Sequence, residues 1–293
     1  MMFDALIVGG SFAGLSAALQ LARARRRIVV VDAGQRRNRF VEASHGFLGQ
    51  DGRSPGDIVA EAKAQLLAYP NVSWRDGLAA AARKQSEAFE VEVGGETLRA
   101  HRLVLATGVV DELPAVEGVA ERWGTTVFHC PYCHGYELEQ GAVGVLASSA
   151  LSMHHALMLP DWGPTTFFLN GAFEPDAEQA NALAARGVAV EPVPIARITE
   201  AMTVELVDGR RLPLAGLFTA TRTRMASPLS EQLGCEFEQG AAGPFLRRSM
   251  METSVRGVFA CGDAASPFGN VATAVGDGAM TGAAAHRSLI LGL

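Results

Sequence analysis

Two cysteines stand two residues apart in the stretch VFHCPYCHGYEL, residues 127–138, and a histidine directly follows the second one. With this spacing Cys130 and Cys133 can form a redox-active disulfide or supply half of a zinc site, and with His134 they match the C-x-x-C-H signature of haem c attachment. Pro131 is typical of a first helical turn, so the motif predicts a helix with Cys130 as its N-cap. Three chemistries are open at this point, and the remaining sequence has to separate them.

Composition and charge narrow the alternatives. The 293 residues carry a formal net charge of −6, which argues against a nucleic-acid-binding surface. The first ten residues, MMFDALIVGG, contain neither a basic segment nor a sustained apolar run, so we expect no secretory signal, no membrane span and a cytoplasmic location. In that reducing compartment a single C-x-x-C indicates catalysis or metal binding, and haem c attachment is disfavoured because it requires export.

A glycine-rich loop near the start predicts a nucleotide-binding site. In IVGGSFAG, Gly9, Ser11 and Gly14 occupy the positions of G-x-G-x-x-G, and Gly10 lies between the first two. This pattern gives a tight turn in which backbone N–H groups approach a pyrophosphate at a helix N-terminus. Asp32 ends the next apolar run, where a ribose-binding carboxylate belongs. Isolated glycines can serve only to pack a helix on a strand, but the order strand, turn, helix, strand and acid favours dinucleotide binding.

A second loop of the same layout has lost its glycines. In GVLASSALS the three glycine positions are occupied by Ala147, Ser149 and Ser152. The added Cβ atoms would hold a pyrophosphate away from the backbone. The second loop therefore predicts a dinucleotide-type fold that persists without its nucleotide.

The elements that position these residues follow from hydrophobic periodicity and turn signals. Strand–helix–strand units begin at ALIVGG and again at GAVGVLASS, and hairpins are predicted at Gly94–Gly95 and Asp208–Gly209. Helices are predicted from Pro55 to about Leu67 and from about Asn270 to Leu289. This layout predicts an α/β fold of two Rossmann-like, three-layer ββα dinucleotide-binding domains, the second inserted into the first. The predicted boundaries are 1–111 and 242–293 for the first domain and 112–241 for the inserted one.

Four segments resemble the low-molecular-weight thioredoxin reductases, within the pyridine nucleotide-disulfide oxidoreductases. They are GGSFAG, LATG, the C-x-x-C motif and GVFACGDAASPFGNVATAVGDGAM, and the resemblance covers nearly the whole chain. It implies that 1–111 and 242–293 bind FAD and that 112–241 is an NADPH-domain-like module carrying the dithiol. The flavin-binding residues that it implies are Gly9, Gly10, Ser11, Gly14, Asp32, Ala106, Thr107, Gly108, Gly262, Asp263, Asn270, Val271 and Ala272.

The dithiol motif is similar to one branch of this family in particular, the C-x-x-C-H branch with the dithiol oxidases of the gliotoxin and holomycin pathways. In the reductases an aspartate usually follows the second cysteine, whereas His134 does so here. Reductases also carry an arginine-rich segment that binds the 2′-phosphate of NADPH, and the corresponding stretch FFLNG has no cation. Together with the lost glycines, this argues against ordinary NADPH use.

The same resemblance implies roles for the dithiol residues. Cys133 lies nearer the flavin, and Cys130 exchanges with the substrate. His134 then accepts or returns the proton of the substrate thiol, since imidazole titrates near neutral pH. His45, in SHGFLGQDG, is a second candidate base, and its alternative is a purely structural histidine.

Metal binding and the other cysteine chemistries are disfavoured. A zinc site needs two more ligands, and Cys235 and Cys261 do not form a second C-x-x-C. Glutaredoxins share CPYC, but they are small domains with the dithiol near the chain start. We therefore predict no metal ligands, Cys235 and Cys261 as buried small hydrophobes, and His154 and His155 as surface or helix-packing residues.

The function that follows is an FAD-dependent thiol-disulfide oxidoreductase that oxidises a small-molecule or peptide dithiol through Cys130 and Cys133. O2 is the expected acceptor, and thioredoxin is one candidate protein substrate. Two alternatives stay open: a thioredoxin-disulfide reductase fed by NADPH through an atypical loop or by ferredoxin, and a flavoprotein that senses redox state or binds a partner without turnover. The resemblance also implies a homodimer.

Overall fold

The computed structural model describes residues 1–199 and 201–292, which pack as two units. The first unit comprises 1–39, 47–110 and 223–293, and the second comprises 40–46 and 111–222. Residues 223–241 belong to the first unit because Leu229 and Cys235 pack in one hydrophobic cluster with Phe3 and Val91. The sequence placed this segment in the inserted domain, so the two divisions differ there.

The strands, labelled in chain order, are β1 (Met2–Val8), β2 (Ile28–Asp32), β3 (Val72–Asp76), β4 (Ala79–Gln85), β5 (Ala88–Val93), β6 (Glu96–Leu105), β7 (Val109–Glu112), β8 (Val127–Phe128), β9 (Val143–Leu146), β10 (Thr165–Phe168), β11 (Ala189–Glu191), β12 (Ile195–Thr199), β13 (Thr203–Leu206), β14 (Arg211–Pro213), β15 (Gly216–Thr219), β16 (Arg222–Met225), β17 (Phe237–Gln239), β18 (Pro244–Leu246), β19 (Arg248–Ser249), β20 (Glu252–Thr253) and β21 (Val258–Ala260). The α-helices are α1 (Phe12–Arg23), α2 (Pro55–Leu67), α3 (Pro131–His134), α4 (Ser152–Met158), α5 (Ala177–Ala185), α6 (Leu229–Gln232) and α7 (Val271–Leu291).

The first unit is built on a parallel sheet of order β21-β6-β1-β2-β3. Successive residues of β2 face opposite sides, as the two-residue period of a strand requires. Val29 and Val31 pack in a cluster with Phe89 of β5, while Ile28 and Val30 pack in a cluster with α1. The β4–β5 hairpin and the helices therefore lie on opposite faces, which gives three layers.

Helices α1 and α7 pack closely because glycines face the backbone of the other helix. A Cβ on Gly278 would overlap the carbonyl oxygen of Ala13, and one on Gly282 would overlap that of Ala17. Ser16 Oγ also donates to the carbonyl of Val275 at 2.7 Å. These contacts hold the start of α7 beside the N-terminal end of α1.

The second unit repeats this layout with a parallel sheet of order β11-β10-β9-β15-β8. On one face, Val145 and Phe167 share a cluster with Ala156 of α4 and Leu183 of α5. On the other face, the antiparallel sheet β12-β13-β14 covers a second cluster. Helices, parallel sheet and antiparallel sheet again form three layers.

The predicted fold class is confirmed in both units. The two predicted strand–helix–strand units are β1-α1-β2 and β9-α4-β10, and the hairpins at Gly94–Gly95 and Asp208–Gly209 join the strands expected. Helix α7 begins after its N-cap Asn270 and ends at Leu291. Within residues 1–199 and 201–292, no helix combines the length and hydropathy needed to cross a bilayer.

Candidate functional site

The first glycine loop has a backbone that only glycine permits at two positions. Gly9 has φ +107°, and a Cβ there would overlap the carbonyl oxygen of Ala106. A Cβ on Gly14 would in turn overlap the carbonyl oxygen of Gly9. Ser11 is the N-cap of α1, and its hydroxyl makes no capping hydrogen bond. The loop thus combines close backbone packing with a helix N-terminus that its own cap does not satisfy, as a pyrophosphate site requires.

Most of the predicted flavin-binding residues meet at the carboxyl edge of the first sheet. Parallel strands end at the same edge, and this is where dinucleotides bind in folds of this type. The N–H of Gly10 donates to Asp32 Oδ1 at 3.0 Å, which joins the ends of β1 and β2. The N–H of Ala106 donates to the Val8 carbonyl at 2.9 Å, so the end of β6 lies alongside. The residues brought together in this way are Gly9, Gly10, Ser11, Gly14, Asp32, Ala106, Thr107, Gly108, Gly262 and Asp263.

Polar groups missed in the sequence also lie in this unit. Arg37 pairs with Asp263 at 2.9 Å, although 226 positions separate them in the chain. Arg36 Nε and Asn38 Oδ1 are buried without a hydrogen-bond partner in the structure. Buried polar atoms normally have partners, so their orphaned state in the segment just after Asp32 fits a site built for a polar ligand. The donor set and glycine cradle fit FAD, and the signal in the sequence was the run RRN after the acid-ending strand.

A partly buried ion pair stabilises the turn that contains Gly262 and Asp263 at this edge. Arg248 and Asp277 lie 2.8 Å apart, with 18% and 13% of their side chains exposed. Asp277 Oδ2 also accepts the N–H of Gly262 at 2.8 Å. Gly262 has φ +68°, a left-handed conformation that suits glycine. The carboxylate therefore fixes the turn that carries Asp263.

In the second unit, Cys130 and Cys133 form a disulfide with a Cα–Cα distance of 5.3 Å. Cys130 is the N-cap of α3 and Pro131 occupies its first turn, which confirms the predicted local geometry. The N–H of Gly135 closes the turn on the Pro131 carbonyl at 2.7 Å. A Cβ on Gly135 would meet this carbonyl and the ring of Trp162, so a glycine is needed directly after the C-x-x-C-H motif.

The ring of His134, at the end of the helix that carries the dithiol, packs against another aromatic side chain. Its ring stacks on Phe128 with centroids 4.4 Å apart and an angle of 19° between the planes. Burial lowers the pKa of His134 to about 4, while Glu137 opposes this shift and His45 adds to it. His134 is therefore a neutral imidazole at neutral pH.

His45 lies in the same unit as the dithiol, because residues 40–46 pack there rather than with the first unit. Its Nδ1 is 3.4 Å from Glu137 Oε1. Glu137 was missed in the sequence, and the available signal was its position one turn after His134 in CHGYE. The second unit thus brings together both candidate bases and adds a carboxylate to them.

The second loop is closed by its own serines. The N–H of Ser148 donates to Ser152 Oγ at 3.0 Å, and the N–H of Leu151 donates to Ser149 Oγ at 3.3 Å. Ser152 is fully buried. These bonds occupy backbone N–H groups of the turn between β9 and α4, where a pyrophosphate would need free donors.

Two further cysteines and the adjacent histidines of α4 are structural residues rather than parts of the candidate site. Cys235 and Cys261 are buried free thiols, and burial raises the pKa of Cys261 to about 12. His154 is exposed and His155 is buried in α4, where burial lowers the pKa of His155 to about 4. Across residues 1–199 and 201–292, no group of three or more His, Cys, Asp or Glu side chains is placed to hold a metal ion.

Known proteins of similar sequence include thioredoxin reductases. The family model for pyridine nucleotide-disulphide oxidoreductase matches residues 3–278. Thioredoxin reductase sirT from Leptosphaeria maculans is 34% identical over 305 residues, which cover 96% of this chain and 92% of that protein.

Solved structures agree with this result. The crystal structure of an oxidoreductase from Agrobacterium tumefaciens is 57% identical, has a TM-score of 0.97 and covers 99% of both chains. The crystal structure of HlmI is 35% identical with a TM-score of 0.90, covering 98% of this chain and 92% of that one. The chain therefore belongs to the pyridine nucleotide-disulphide oxidoreductase family, as a thioredoxin reductase-like enzyme of an FAD-dependent group.

Proposed function

We propose that the chain is a dithiol oxidase in which a small-molecule or peptide dithiol is oxidised at Cys130–Cys133 and the electrons pass through FAD to O2. The observation that carries this proposal is the second loop, because its serine hydroxyls accept the N–H groups that the pyrophosphate of NADPH would need. With NADPH disfavoured as the electron donor, the thiol substrate is the donor that we propose.

The phosphates of NADPH would compete with the serine hydroxyls for these N–H groups, and this competition would weaken NADPH binding. Ser152 is fully buried and accepts from Ser148, so a phosphate could reach that N–H only by displacing a buried hydroxyl. Leaving a buried polar group without its partner costs about 1–3 kcal/mol. Ala147, buried to 2% exposure, adds a Cβ where the fingerprint requires glycine.

The charge of the segment expected near the ribose also disfavours binding of NADPH. The segment after β10 reads NGAFEPDAEQ and contains Glu174, Asp176 and Glu178 without a cation. Asn170 Oδ1 already accepts the N–H of Ile195 at 2.9 Å. A 2′-phosphate would meet like charge where NADPH-dependent relatives need a positive one.

The dithiol chemistry then proceeds on this chain's own residues. The substrate sulfur attacks Cys130, the Cys130–Cys133 bond breaks, and Cys133 leaves as a thiolate that keeps the electron pair. Attack by the second substrate thiol releases the oxidised substrate and leaves the cysteines reduced. His134 and His45 are the candidates to take the proton of the attacking thiol. FAD, when bound, supplies a two-electron acceptor that O2 can reoxidise with release of hydrogen peroxide.

Anaerobic mixing of the flavin-loaded protein with one reductant at a time tests the proposal. We expect a dithiol such as dithiothreitol to bleach the yellow absorbance and NADPH to leave it unchanged. Admission of air should restore the colour with stoichiometric hydrogen peroxide. Rapid bleaching by NADPH would overturn the oxidase assignment, and bleaching by neither reductant would favour a sensor or binding role.

A thioredoxin-disulfide reductase is the second candidate, and the name of the relative sirT favours it. Such an enzyme would receive electrons through an atypical NADPH loop or from reduced ferredoxin. Thioredoxin disulfide reduction, assayed with each donor in turn, separates this candidate from the oxidase. The homodimer stays a proposal from the family resemblance, to be checked by the mass in solution.

A further inference from the structure

We infer that Trp74 is a positioning residue for the adenosine half of FAD, and that it acts by holding Gly10 of the glycine loop beside Asp32. Trp74 stands in the middle of β3 and belongs to none of the sequence motifs that predict the flavin site. The inference goes beyond the proposed function, because an oxidase and a reductase of this family both need FAD. It concerns residues of the first unit alone.

The indole of Trp74 lies directly against the glycine loop. A Cβ on Gly10 would overlap Cη2 of Trp74 and would lie 2.7 Å from Cβ of Asp32. Gly10 is therefore enclosed between these two side chains, so only a residue without a side chain fits there. The N–H of Gly10 donates to Asp32 Oδ1 at 3.0 Å. The indole thus limits the movement of Gly10 away from the carboxylate that accepts its N–H.

The pairing of the strands explains how a residue of β3 reaches this loop. Trp74 is the parallel partner of Val30 in β2, and both pack in the cluster on the helix-covered face of the sheet. The N–H of Gly77 donates to the Asp32 carbonyl at 2.8 Å, which joins the end of β3 to the end of β2. The long indole therefore reaches across β2 to the turn after β1.

Two charged side chains fix the orientation of the indole. Its Nε1–H donates to Asp76 Oδ1 at 2.8 Å. Nζ of Lys63, from α2, lies 3.9 Å from the ring centroid, a cation–π distance, and 3.5 Å from Asp76 Oδ1. The hydrogen bond from Trp74 and the charge of Lys63 lower the pKa of the Asp76 carboxyl. A ring that is bound at its edge and on one face is held in place, as a supporting residue of a binding site must be.

The position of Asp32 assigns this contact to the adenosine half of the cofactor. In Rossmann-type folds the acid that ends the second strand binds the ribose hydroxyls of the adenosine, and the glycine loop meets the pyrophosphate. By holding Gly10 beside Asp32, Trp74 fixes the distance between the ribose-binding carboxylate and the pyrophosphate-binding backbone. Such preorganisation raises affinity because less freedom is lost on binding.

Affinity for ADP tests the inference without the isoalloxazine ring. The full-length protein is freed of FAD, and ADP binding is measured by calorimetry. We expect Trp74→Leu to raise the Kd of ADP about 10-fold or more, because a loosened hydrogen bond to a charged group corresponds to about that factor. Trp74→Phe keeps a ring and should recover part of the affinity. Lys63→Met leaves the indole but removes the cation, and it should raise the Kd about 2- to 5-fold. The Kd of FAD, measured by flavin fluorescence, should rise with that of ADP in each variant.

Two further variants separate positioning from a general loss of stability. Trp123→Leu replaces a partly buried tryptophan of the second unit, so it should lower the free energy of unfolding and leave ADP affinity unchanged. In an Asp32→Asn background, Trp74→Leu should cause little further loss of ADP affinity, because both residues act on Gly10 and their effects are then not additive.

Wild-type ADP affinity in Trp74→Leu, or losses that add fully in the double variant, would overturn the inference. If Trp74→Leu does not fold, Trp74→Phe and Lys63→Met provide the same comparison, and wild-type ADP affinity in both would contradict the role of the indole. None of these measurements involves the dithiol, so the inference and the oxidase proposal can fail independently.

Discussion

Ser152 Oγ accepts the backbone N–H of Ser148 at 3.0 Å, and Ser152 is fully buried. Ser148 Oγ in turn donates to the Ala220 carbonyl at 2.5 Å, which ties the turn after β9 to the end of β15. The loop that corresponds to a nucleotide fingerprint is thus a hydrogen-bonded structural element of the second unit. Its serines accept backbone N–H groups that a bound pyrophosphate would otherwise accept.

Removal of the Ser152 hydroxyl should destabilise the protein without creating NADPH activity. Ser152→Ala leaves the Ser148 N–H buried without its acceptor, and we expect a loss of about 1–3 kcal/mol in the free energy of unfolding. Urea unfolding measures this, with Ser249→Ala at an exposed position as the control. A gain of flavin bleaching by NADPH in Ser152→Ala would show that the hydroxyl alone excludes the nucleotide, contrary to the role given to charge after β10.

Gly14 and Gly276 lie in different environments, so replacement of each by alanine should have opposite effects on stability. In Gly14→Ala the new Cβ overlaps the carbonyl oxygen of Gly9, so FAD affinity and stability should both fall. In Gly276→Ala, also in a helix, the Cβ meets nothing within 4 Å. This control should gain about 0.5–1 kcal/mol from the higher helix propensity of alanine. Flavin retention on gel filtration and thermal unfolding distinguish the two, and equal behaviour would contradict the close packing at Gly14.

The sequence predicted those parts of the site that local motifs carry. Gly9, Asp32 and Cys130 could be predicted as candidates because each stands at a fixed position in a local sequence pattern of strand, turn and helix. The pairing of His45 with Glu137 could not be predicted, because the segment 40–46 lies in sequence between two elements of the first unit and packs in the second. Arg37 and Asp263 illustrate the same limit, since only the folded sheet brings together residues 226 positions apart.

The boundary between the two units could not be predicted from the sequence either, and the reason is different. Residues 223–241 contain a short helix and short strands, so periodicity there carries little information. Their assignment to the first unit depends on Leu229 and Cys235 entering a core formed by distant strands. Side-chain burial of this type is a tertiary property, and no local pattern in the segment specifies which of two similar sheets it covers.

The dithiol roles predict asymmetric effects of cysteine replacement. Cys133→Ser should abolish flavin bleaching by dithiothreitol, because the cysteine expected to face the flavin is lost. Cys130→Ser removes the sulfur that exchanges with substrate, and it should also stop turnover. Cys235→Ala, at a buried free thiol in the first unit, is the matched control and should retain turnover. Anaerobic absorbance spectroscopy provides the measurement, and bleaching retained in Cys133→Ser would remove its assignment.

Buried His155 should make the protein less stable in mild acid. Burial lowers its pKa to about 4, below the ordinary value of 6.5 that it regains on unfolding. The unfolded chain therefore takes up a proton first as the pH falls, so stability is lost between these two values and the loss levels off below the lower one. At a pH near 5 we expect His155 to contribute a loss of about 1–2 kcal/mol relative to neutral pH. His155→Leu should remove this contribution and leave that of His134, whose pKa burial also lowers to about 4. His101→Gln, at an exposed site, should leave the curve as in wild type.

Replacement of Asp277 should lower both the free energy of unfolding and the affinity for FAD. It pairs with Arg248 at 2.8 Å in a largely buried setting and accepts the N–H of Gly262 at 2.8 Å, next to the predicted flavin-binding Asp263. Asp277→Asn leaves the partly buried Arg248 guanidinium without its counter-charge, and leaving such a group without its partner costs about 1–3 kcal/mol. The turn at Gly262 should loosen as well, so the dissociation constant of FAD, measured by flavin fluorescence, should rise. Asp208→Asn, which breaks an exposed pair with Arg210, should change neither quantity. A destabilised Asp277→Asn protein that binds FAD as tightly as wild type would show that the ion pair supports the fold without positioning the cofactor turn.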